Sequence, residues 1–186
     1  MRVPISQRPK TVDSRGQFGH RESDTVIGAA PSRACIDTQV ERKSRGPFAR
    51  LVPDKSAMAT ARAEYEIYRD LPAEARIDRT WDNGTEASCH TLVDEALGMP
   101  AYFADPYSTW QRGSNENRNG RIRRYLPKKT PFDDLTQDEL DAIVKETDDT
   151  PMKQPEYKTP NEAWDEEITR LQSQDTNPST SIALTS

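Results

Sequence analysis

Polar and apolar positions alternate over three short segments in the first third of the chain. Residues 19–28 alternate loosely and end in Thr-Val-Ile-Gly, which is typical of a strand that stops at Gly28. Residues 34–41 predict a second strand, and residues 47–52 predict a third after a turn at residues 42–46. Strands joined by such short connections pair in an antiparallel meander, so we expect one here.

Helical and extended patterns then alternate along the chain. The helix after Pro53-Asp54 is rich in Ala, Glu, Arg and Tyr, and the next helix has Gly98 as its predicted C-cap. The predicted helices are residues 55–70, Glu86–Leu97 and a segment that carries Glu116 and ends near Tyr125, and the predicted short strands are residues 77–81 and 99–103.

Two further helices are predicted towards the C-terminal end. Residues 136–148 begin at Thr136 with Glu139 three positions later, which is the capping-box pattern. Residues 160–172 follow Thr159 and carry Pro at the first helical position. The order of elements predicts an α/β fold with a five-stranded mixed sheet flanked by helices.

The composition favours one domain with unpacked ends. A chain of 186 residues leaves little room for a second domain, and its hydrophobic fraction of 33% is low. Residues 1–17 and 173–186 are poor in apolar side chains, so they are interpreted as a flexible leader and a disordered tail. Residues 18–172 then form the core domain.

Neither a membrane segment nor a zinc signature is present in the sequence. No apolar run approaches the roughly 18 residues that a membrane span needs, and the N-terminus lacks the apolar stretch of a signal peptide, so we expect a soluble cytoplasmic protein. Cys35, Cys89, His20 and His90 match no zinc-binding spacing. We interpret His20 as structural and Cys89-His90 as an ordinary pair in a helix.

Charge is distributed unevenly along the chain. The net charge is −5, yet residues 1–129 carry 22 Lys+Arg against 17 Asp+Glu, while residues 130–186 carry 4 against 14. The acidity therefore belongs to the C-terminal third, and the larger N-terminal part is basic enough to bind nucleic acid.

Three acids in this basic part suggest a metal-dependent phosphoryl-transfer site that acts on nucleic acid. Asp82 lies 58 positions after Asp24, and Glu116 lies 34 positions after Asp82. Mg²⁺ prefers oxygen ligands, and a pair of ions can activate an attacking oxygen and stabilise a leaving one. Each acid also has a structural interpretation: Asp24 as a surface residue of a strand, Asp82 as part of an Asp-Asn-Gly turn, and Glu116 as a first-turn helix acid.

The segment around Glu116 adds a polar helical face. Arg112, Glu116, Asn119 and Arg123 share one face by helical spacing, and Glu22 shares a strand face with Asp24 as a candidate accessory acid. The face is interpreted as contacting DNA phosphates, with a solvated basic helix as the alternative. Seven cations lie between positions 112 and 129, namely Arg112, Arg118, Arg121, Arg123, Arg124, Lys128 and Lys129.

The apolar and aromatic neighbours of this face are assigned to packing. We expect Ile122, Tyr125 and Leu126 to form its buried side. Trp110 and Tyr107 are aromatic enough to stack on a base, but core packing is the favoured interpretation.

Several motifs resemble those of one transposase family. In order along the chain from Phe18 to Trp164, they resemble the catalytic part of bacterial insertion-sequence transposases of the IS30 family, which belong to the DDE transposases and retroviral-type integrases. The motifs are FGHRESDTVIG, VERKSRG, TWDNGTE, YFADPYSTWQRGSNENRNGRIRRYLPK and KTPNEAW.

The resemblance implies a ribonuclease-H-like fold and a catalytic triad of Asp24, Asp82 and Glu116. It further implies two Mg²⁺ ions, for which Mn²⁺ can substitute, and double-stranded DNA as substrate. Cleavage at transposon ends would be followed by attack of the freed 3′-hydroxyl on target DNA. A second copy or an intact transposase is the expected protein partner, in the cytoplasm and at the nucleoid.

Departures from the family pattern give a second hypothesis. Family members have Trp and Gly where this chain has Arg21 and Ser23, and the basic segment before the last helix is here acidic, at residues 148–153. Relatives also carry an N-terminal helix-turn-helix region, which 17 residues cannot supply. The chain is therefore interpreted as a truncated transposase with impaired activity, or as an inactive remnant that binds DNA weakly or pairs with intact transposase.

Overall fold

The fold is built on one mixed sheet. The computed structural model describes residues 1–153 and 157–175. Within that part of the chain, six strands pair in the order β1-β6-β5-β2-β3-β4. Their bounds are β1 Val3–Pro4, β2 His20–Ile27, β3 Cys35–Glu41, β4 Pro47–Val52, β5 Asp78–Trp81 and β6 Ala101–Phe103.

The antiparallel meander is confirmed. β2 pairs antiparallel with β3, and β3 pairs antiparallel with β4. β5 joins β2 on its other side as a parallel neighbour, so β2 is central. The sheet is mixed as predicted, but it has six strands because the two-residue β1 pairs in parallel with β6.

Helices cover both faces of the sheet. Val26 and Ile36 pack with Ile122 and Leu140 on one face. On the other face Cys35 packs with Ala63. These contacts place α3 and α4 on the first face and α1 on the second. The helices are α1 Ala57–Tyr68, α2 His90–Leu97, α3 Gly113–Tyr125, α4 Gln137–Asp148 and α5 Pro160–Asp175.

The predicted helix ends have the expected capping contacts. Thr136 and Glu139 form a complete capping box at α4. Gly98 follows α2 in the left-handed conformation, at φ 63°. The segment before α2 differs from its prediction, since residues Thr85–Cys89 form a 3₁₀ helix and the α-helix begins only at His90.

The N-terminal leader is packed rather than flexible. Val12 is 1% exposed, and Arg8 Nη1 donates a hydrogen bond of 2.8 Å to Thr80 Oγ1 on β5. Strand β1 also lies in this segment. The interpretation of residues 1–17 as a free leader is therefore wrong. In the predicted C-terminal tail, residues 173–175 belong to α5, and residues 176–186 lie outside the described part.

Arg21 lies in an aromatic box on the α1 face of the sheet. Its guanidinium carbon lies 4.9 Å from the ring centroid of Phe48 and 5.1 Å from those of Tyr68 and Trp164. The side chain is fully buried, and Nη2 donates to the carbonyl of Ala75 at 3.0 Å. Burial lowers the Arg21 pKa from its ordinary value. Cation–π contacts thus replace apolar packing at this position.

His20 lies in the interior of the protein. His20 is buried, and its Nδ1 lies 2.9 Å from Asp78 Oδ2, so its structural interpretation is confirmed. None of the described helices is long and apolar enough to cross a membrane.

Candidate functional site

Asp24 and Asp82 come together where the parallel pairing of β2 with β5 ends. Glu22 on β2 is opposite Thr80 on β5, so Asp24 lies two positions past this pair and Asp82 does likewise. Side chains two apart on a strand share a face, which aligns the two carboxylates. Ligand sites of parallel sheets occur at this edge of the strands.

The guanidinium of Arg112 joins these two carboxylates. Its Nη1 lies 3.2 Å from Asp24 Oδ1, and its Nη2 lies 3.2 Å from Asp82 Oδ2. Nη1 also donates to the Ser23 carbonyl at 3.1 Å. The Arg112 side chain is 13% exposed, against 28% for Asp24 and 39% for Asp82. The two carboxylates therefore converge on one cationic group near the surface.

Neighbouring groups hold both carboxylates in place. Asn119 Nδ2 donates to Asp24 Oδ2 at 2.9 Å, so Asp24 has a partner at each oxygen. The Gly84 backbone N–H donates to Asp82 Oδ1 at 2.8 Å within the Asp-Asn-Gly turn. The turn chemistry and the site chemistry at Asp82 are thus compatible, because one oxygen supports the turn while the other faces Arg112.

The environment of Asp24 disfavours its charge. Burial raises the Asp24 pKa above its ordinary value, and the nearby Asp82 carboxylate adds to this, while Arg112 opposes it. Perturbed carboxyl groups of this kind are common at functional sites.

The predicted polar face of α3 lies along β2. Arg112 and Asn119 contact Asp24, and Arg123 Nη2 donates to the Ile27 carbonyl at 2.7 Å. Glu116 shares this face between Arg112 and Asn119 by helical spacing, and it is exposed to solvent. Solvent therefore reaches its carboxylate. Glu116 is the third acid that the sequence predicts for this site.

The residues present fit a hard divalent cation in part. Carboxylate oxygens are the ligands that Mg²⁺ prefers, and the bridging guanidinium marks a point where Asp24 and Asp82 both attract positive charge. Within the described ranges, however, no three His, Cys, Asp or Glu side chains lie close enough to hold a metal ion. Two acids are therefore assembled, and Glu116 would have to turn inward to complete the set.

Asn115 fixes the start of α3 and was missed by the sequence analysis. Its Nδ2 donates to the carbonyls of Glu22 and Thr38 at 2.8 and 3.2 Å, and its Oδ1 accepts from Thr38 Oγ1 at 3.2 Å. The residue is fully buried. The poor helix propensity of this Asn-rich segment was the signal that could have identified it, because such residues are retained for contacts rather than for helix stability.

Glu22 has a structural place rather than that of an accessory acid. Its side chain is fully buried, and its Oε2 accepts the backbone N–H of Asn115 at 2.9 Å. Its other oxygen pairs with Arg42. Oε2 therefore anchors the first turn of α3 to the sheet, which is also favourable at a helix N-terminus, and Oε1 holds Arg42 after β3.

Arg118 is buried, unlike the exposed cation that the sequence predicts. Its side chain is 1% exposed and forms an ion pair with Asp148, and Nη2 donates to Thr147 Oγ1 at 3.0 Å. The acidic segment that departs from the family pattern thus supplies the partner of a buried arginine. Sequence reasoning could not detect this pair, because 30 positions separate the two residues.

The remaining predicted DNA contacts differ in exposure. Arg121 is half-buried, and its Nη1 lies 3.5 Å from the Thr147 carbonyl. Arg124, Lys128 and Lys129 are exposed. The exposed positive charge therefore lies at the C-terminal end of α3 and in the residues that follow it.

The aromatic residues around α3 are more exposed than predicted. Tyr107 is 99% exposed, Trp110 is 74% exposed and Tyr125 is 48% exposed, so core packing is wrong for all three. Ile122 and Leu126 are buried as expected. The exposed Trp110 and Tyr107 rings are therefore available to stack on a base.

Comparisons with known proteins support a relationship to transposases. The chain is 40% identical over 160 residues to the transposase InsI of insertion sequence element IS30C from Escherichia coli, covering 86% of this chain and 41% of that protein. It is 37% identical over 158 residues to the transposase of IS1086 from Cupriavidus metallidurans, covering 85% and 46%. The chain thus spans less than half the length of these relatives. No protein-family model matches it.

Two solved structures show the fold. A chain of the simian T-cell lymphotropic virus intasome in complex with a PP2A regulatory subunit has a TM-score of 0.63 at 14% identity, covering 77% of this chain and 53% of that one. The catalytic core domain of BIV integrase has a TM-score of 0.59 at 18% identity, covering 82% and 97%. The mixed sheet flanked by helices is therefore the ribonuclease-H-like fold, as predicted.

Proposed function

We propose that this chain, which is homologous to IS30-type transposases over most of its length, carries the catalytic core of a DNA transposase. Its reaction would be cleavage of DNA at the ends of an insertion sequence, followed by attack of the freed 3′-hydroxyl on target DNA. The observation that carries the proposal is the convergence of Asp24 and Asp82 on one cationic point, just past the parallel pairing of β2 with β5. The homology supplies the substrate class.

Asp24, Asp82 and Glu116 would hold Mg²⁺ or Mn²⁺, two ions being expected. When bound, such ions activate an attacking oxygen and stabilise a leaving one at the phosphate. Asn119 and the Gly84 N–H orient the two aspartates, which keeps the oxygens that face Arg112 directed to the same point. Solvent-exposed Glu116 is in a position to approach them by a change of side-chain rotamer.

Positive groups near the acids would position the DNA. Arg124, Lys128 and Lys129 are exposed, and phosphate contacts of such residues fix the register of a duplex without reading its sequence. Arg112 already balances the charge of Asp24 and Asp82, and it would be free to contact a phosphate if these acids took another cation. A second copy of the chain or an intact transposase is the proposed protein partner, acting in the bacterial cytoplasm at the nucleoid.

The function is tested by strand cleavage on duplex DNA that carries the terminal inverted repeat of the element. The purified chain is incubated with Mg²⁺ or Mn²⁺, and Asp82→Asn serves as the inactive variant. We expect metal-dependent nicks that Asp82→Asn does not produce. Equal cleavage by both proteins would show that another activity is responsible.

The second candidate is an inactive remnant that only binds DNA or intact transposase. Two features favour it: Arg21 replaces apolar packing inside the sheet, and no three acids are assembled among the described residues. Thermal unfolding with and without Mg²⁺ separates the candidates, because a ligand that binds only the folded state raises its stability. An unchanged melting temperature at millimolar Mg²⁺ favours the remnant.

A further inference from the structure

Two adjoining cavities form a basic trough beside the candidate site. The first has a volume of about 430 Å³ and the second of about 770 Å³, and Arg15 lines both. Asp13 and Asp105 line the first cavity, and among the described residues no acid lines the second. The cations of this basic trough are Arg8, Lys10, Arg15, Arg42, Arg45, Arg118 and Lys153.

The N-terminal segment builds much of this trough. It contributes Arg8, Lys10 and Arg15, and it is held against the sheet by buried Val12 and by the hydrogen bond from Arg8 to Thr80. The positions of these cations are therefore fixed by packing and do not depend on a flexible leader.

The walls and the rim of the trough differ in how their charges are balanced. The buried wall residues have partners: Arg8 pairs with Asp13 at 2.7 Å, Arg42 with Glu22, and Arg118 with Asp148. For Lys10, Arg15 and Lys153 on the rim, the described residues provide no ion pair. The rim therefore presents positive charge to a ligand.

Like charges within the trough also repel one another. Burial, and next to it the charge of Arg15, lowers the pKa of Arg45 to about 10. Burial and the charge of Arg42 likewise lower the Arg8 pKa. An anion in the trough would relieve both effects, whereas a neutral ligand would relieve neither.

The trough is connected to the candidate site through one segment of the chain. Arg112 contacts the two aspartates, while Trp110 and Gln111 line the first cavity and Gly113 and Ser114 line the second. A strand held in the trough would therefore lead directly to the acids.

We propose that the basic trough binds the sugar–phosphate backbone of the DNA substrate, with Lys10, Arg15 and Lys153 contacting phosphates next to the cleavage site. This assignment rests on the proposed function, which supplies DNA as the ligand. It adds a binding surface that lies outside the α3 residues predicted from the sequence, and it gives the N-terminal segment a role in substrate binding.

The test compares the salt dependence of DNA binding between charge-matched variants. The full chain is titrated against a fluorescein-labelled 20-base-pair duplex in EDTA, and anisotropy is measured over a range of salt concentrations. Lys10→Gln with Arg15→Asn removes two rim charges, and Asn tolerates the positive φ of 55° at position 15. Arg62→Gln with Arg69→Gln removes two exposed charges from and beside α1, on the opposite face of the sheet.

We expect the rim variant to bind more weakly and its slope of log K against log salt to fall by about 1.8, which corresponds to two lost phosphate contacts. The α1 variant should keep the wild-type slope. Equal slopes for both variants would overturn the assignment. Circular dichroism of both variants establishes that each is folded.

Failure of the trough and failure of the proposed function have different signatures. A smaller salt slope in the rim variant, with no strand cleavage by the wild-type chain, would support DNA binding in the trough and overturn the proposed function. Cleavage that requires Asp82, with an unchanged slope in the rim variant, would overturn the trough alone. Displacement of the duplex by poly-glutamate as readily as by unlabelled duplex, at equal charge concentration, would overturn DNA as the ligand.

Discussion

Arg112 Nη1 lies 3.2 Å from Asp24 Oδ1, and the same guanidinium reaches Asp82. Arg112 and a divalent cation therefore require the same carboxylates. A cation that binds there must displace the guanidinium, so the ion pair lowers the apparent affinity of the site for metal while it stabilises the chain without metal.

Replacement of Arg112 should lower the stability of the chain without metal and raise its apparent affinity for metal. Arg112→Gln is expected to lower the free energy of unfolding in EDTA by about 1–2 kcal/mol, because charge-assisted hydrogen bonds are lost. The increase in melting temperature on addition of Mn²⁺ should become larger than in wild type. Thermal unfolding with and without Mn²⁺ measures both.

Arg123→Gln is the matched control for this pair of measurements. Arg123 lies on the same face of α3, and its side chain donates to the Ile27 carbonyl instead of to an aspartate. It should leave the Mn²⁺ response unchanged. A smaller Mn²⁺ response in Arg112→Gln than in Arg123→Gln would contradict competition at the two aspartates.

Asn115 should be important for stability because its amide serves both β2 and β3. Asn115→Ala is expected to lower the free energy of unfolding by about 2–4 kcal/mol, since it leaves buried polar groups without partners. Asn117→Ala makes the same change at an exposed position of α3 and should alter stability by less than about 0.5 kcal/mol. Urea denaturation of the two variants compares them directly, and equal losses would contradict the anchoring role.

Asp37 should make stability depend on pH. Burial raises its pKa well above the ordinary value, and the charge of the nearby Glu64 adds to this. A carboxyl group whose pKa is raised by folding contributes stability below its unfolded pKa and loses it as the pH rises through its folded pKa. Each unit of difference corresponds to about 1.4 kcal/mol.

The wild-type chain should therefore lose stability relative to Asp37→Asn as the pH rises from about 4, near the ordinary Asp pKa. Denaturation curves of both proteins at several pH values measure the difference. Asp70→Asn, at an exposed position, should show little such trend. A difference between wild type and Asp37→Asn that does not vary with pH would contradict the raised pKa.

Arg21 should be replaceable by an uncharged side chain of similar length. Arg21→Met is expected to keep the packing against Phe48, Tyr68 and Trp164 while removing a buried charge, so stability should be equal to wild type or about 1 kcal/mol higher. Arg21→Ala should lower stability by about 2–4 kcal/mol because it leaves a cavity. Melting temperatures distinguish the two, and a large loss in Arg21→Met would show that the charge itself stabilises the fold.

Local patterns were sufficient to predict most of the fold. Alternation identified β2, β3 and β4, and the Thr136/Glu139 capping box identified the start of α4. These signals depend on neighbours within a few positions. The packing of residues 1–17 was missed because a two-residue strand and short 3₁₀ turns carry little periodicity.

The candidate site was only partly predictable for a similar reason. The sequence predicts Asp24 on the central strand and Asp82 at the tip of the adjacent strand, and the structure has both there. The Arg118–Asp148 pair and the bridging position of Arg112 depend on tertiary contacts between residues about 30 positions apart or more. Exposure of Trp110 was missed because an aromatic residue beside a helix is more often buried.

We expect Asp24, Asp82 and Glu116 together to bind a divalent cation. The most direct test is a Mn²⁺ titration by isothermal calorimetry of wild type, Asp24→Asn, Asp82→Asn and Glu116→Gln, each shown to be folded. We expect Mn²⁺ to bind to wild type, to bind neither aspartate variant, and to bind Glu116→Gln more weakly than wild type. Mn²⁺ binding of equal affinity in all four proteins would contradict it.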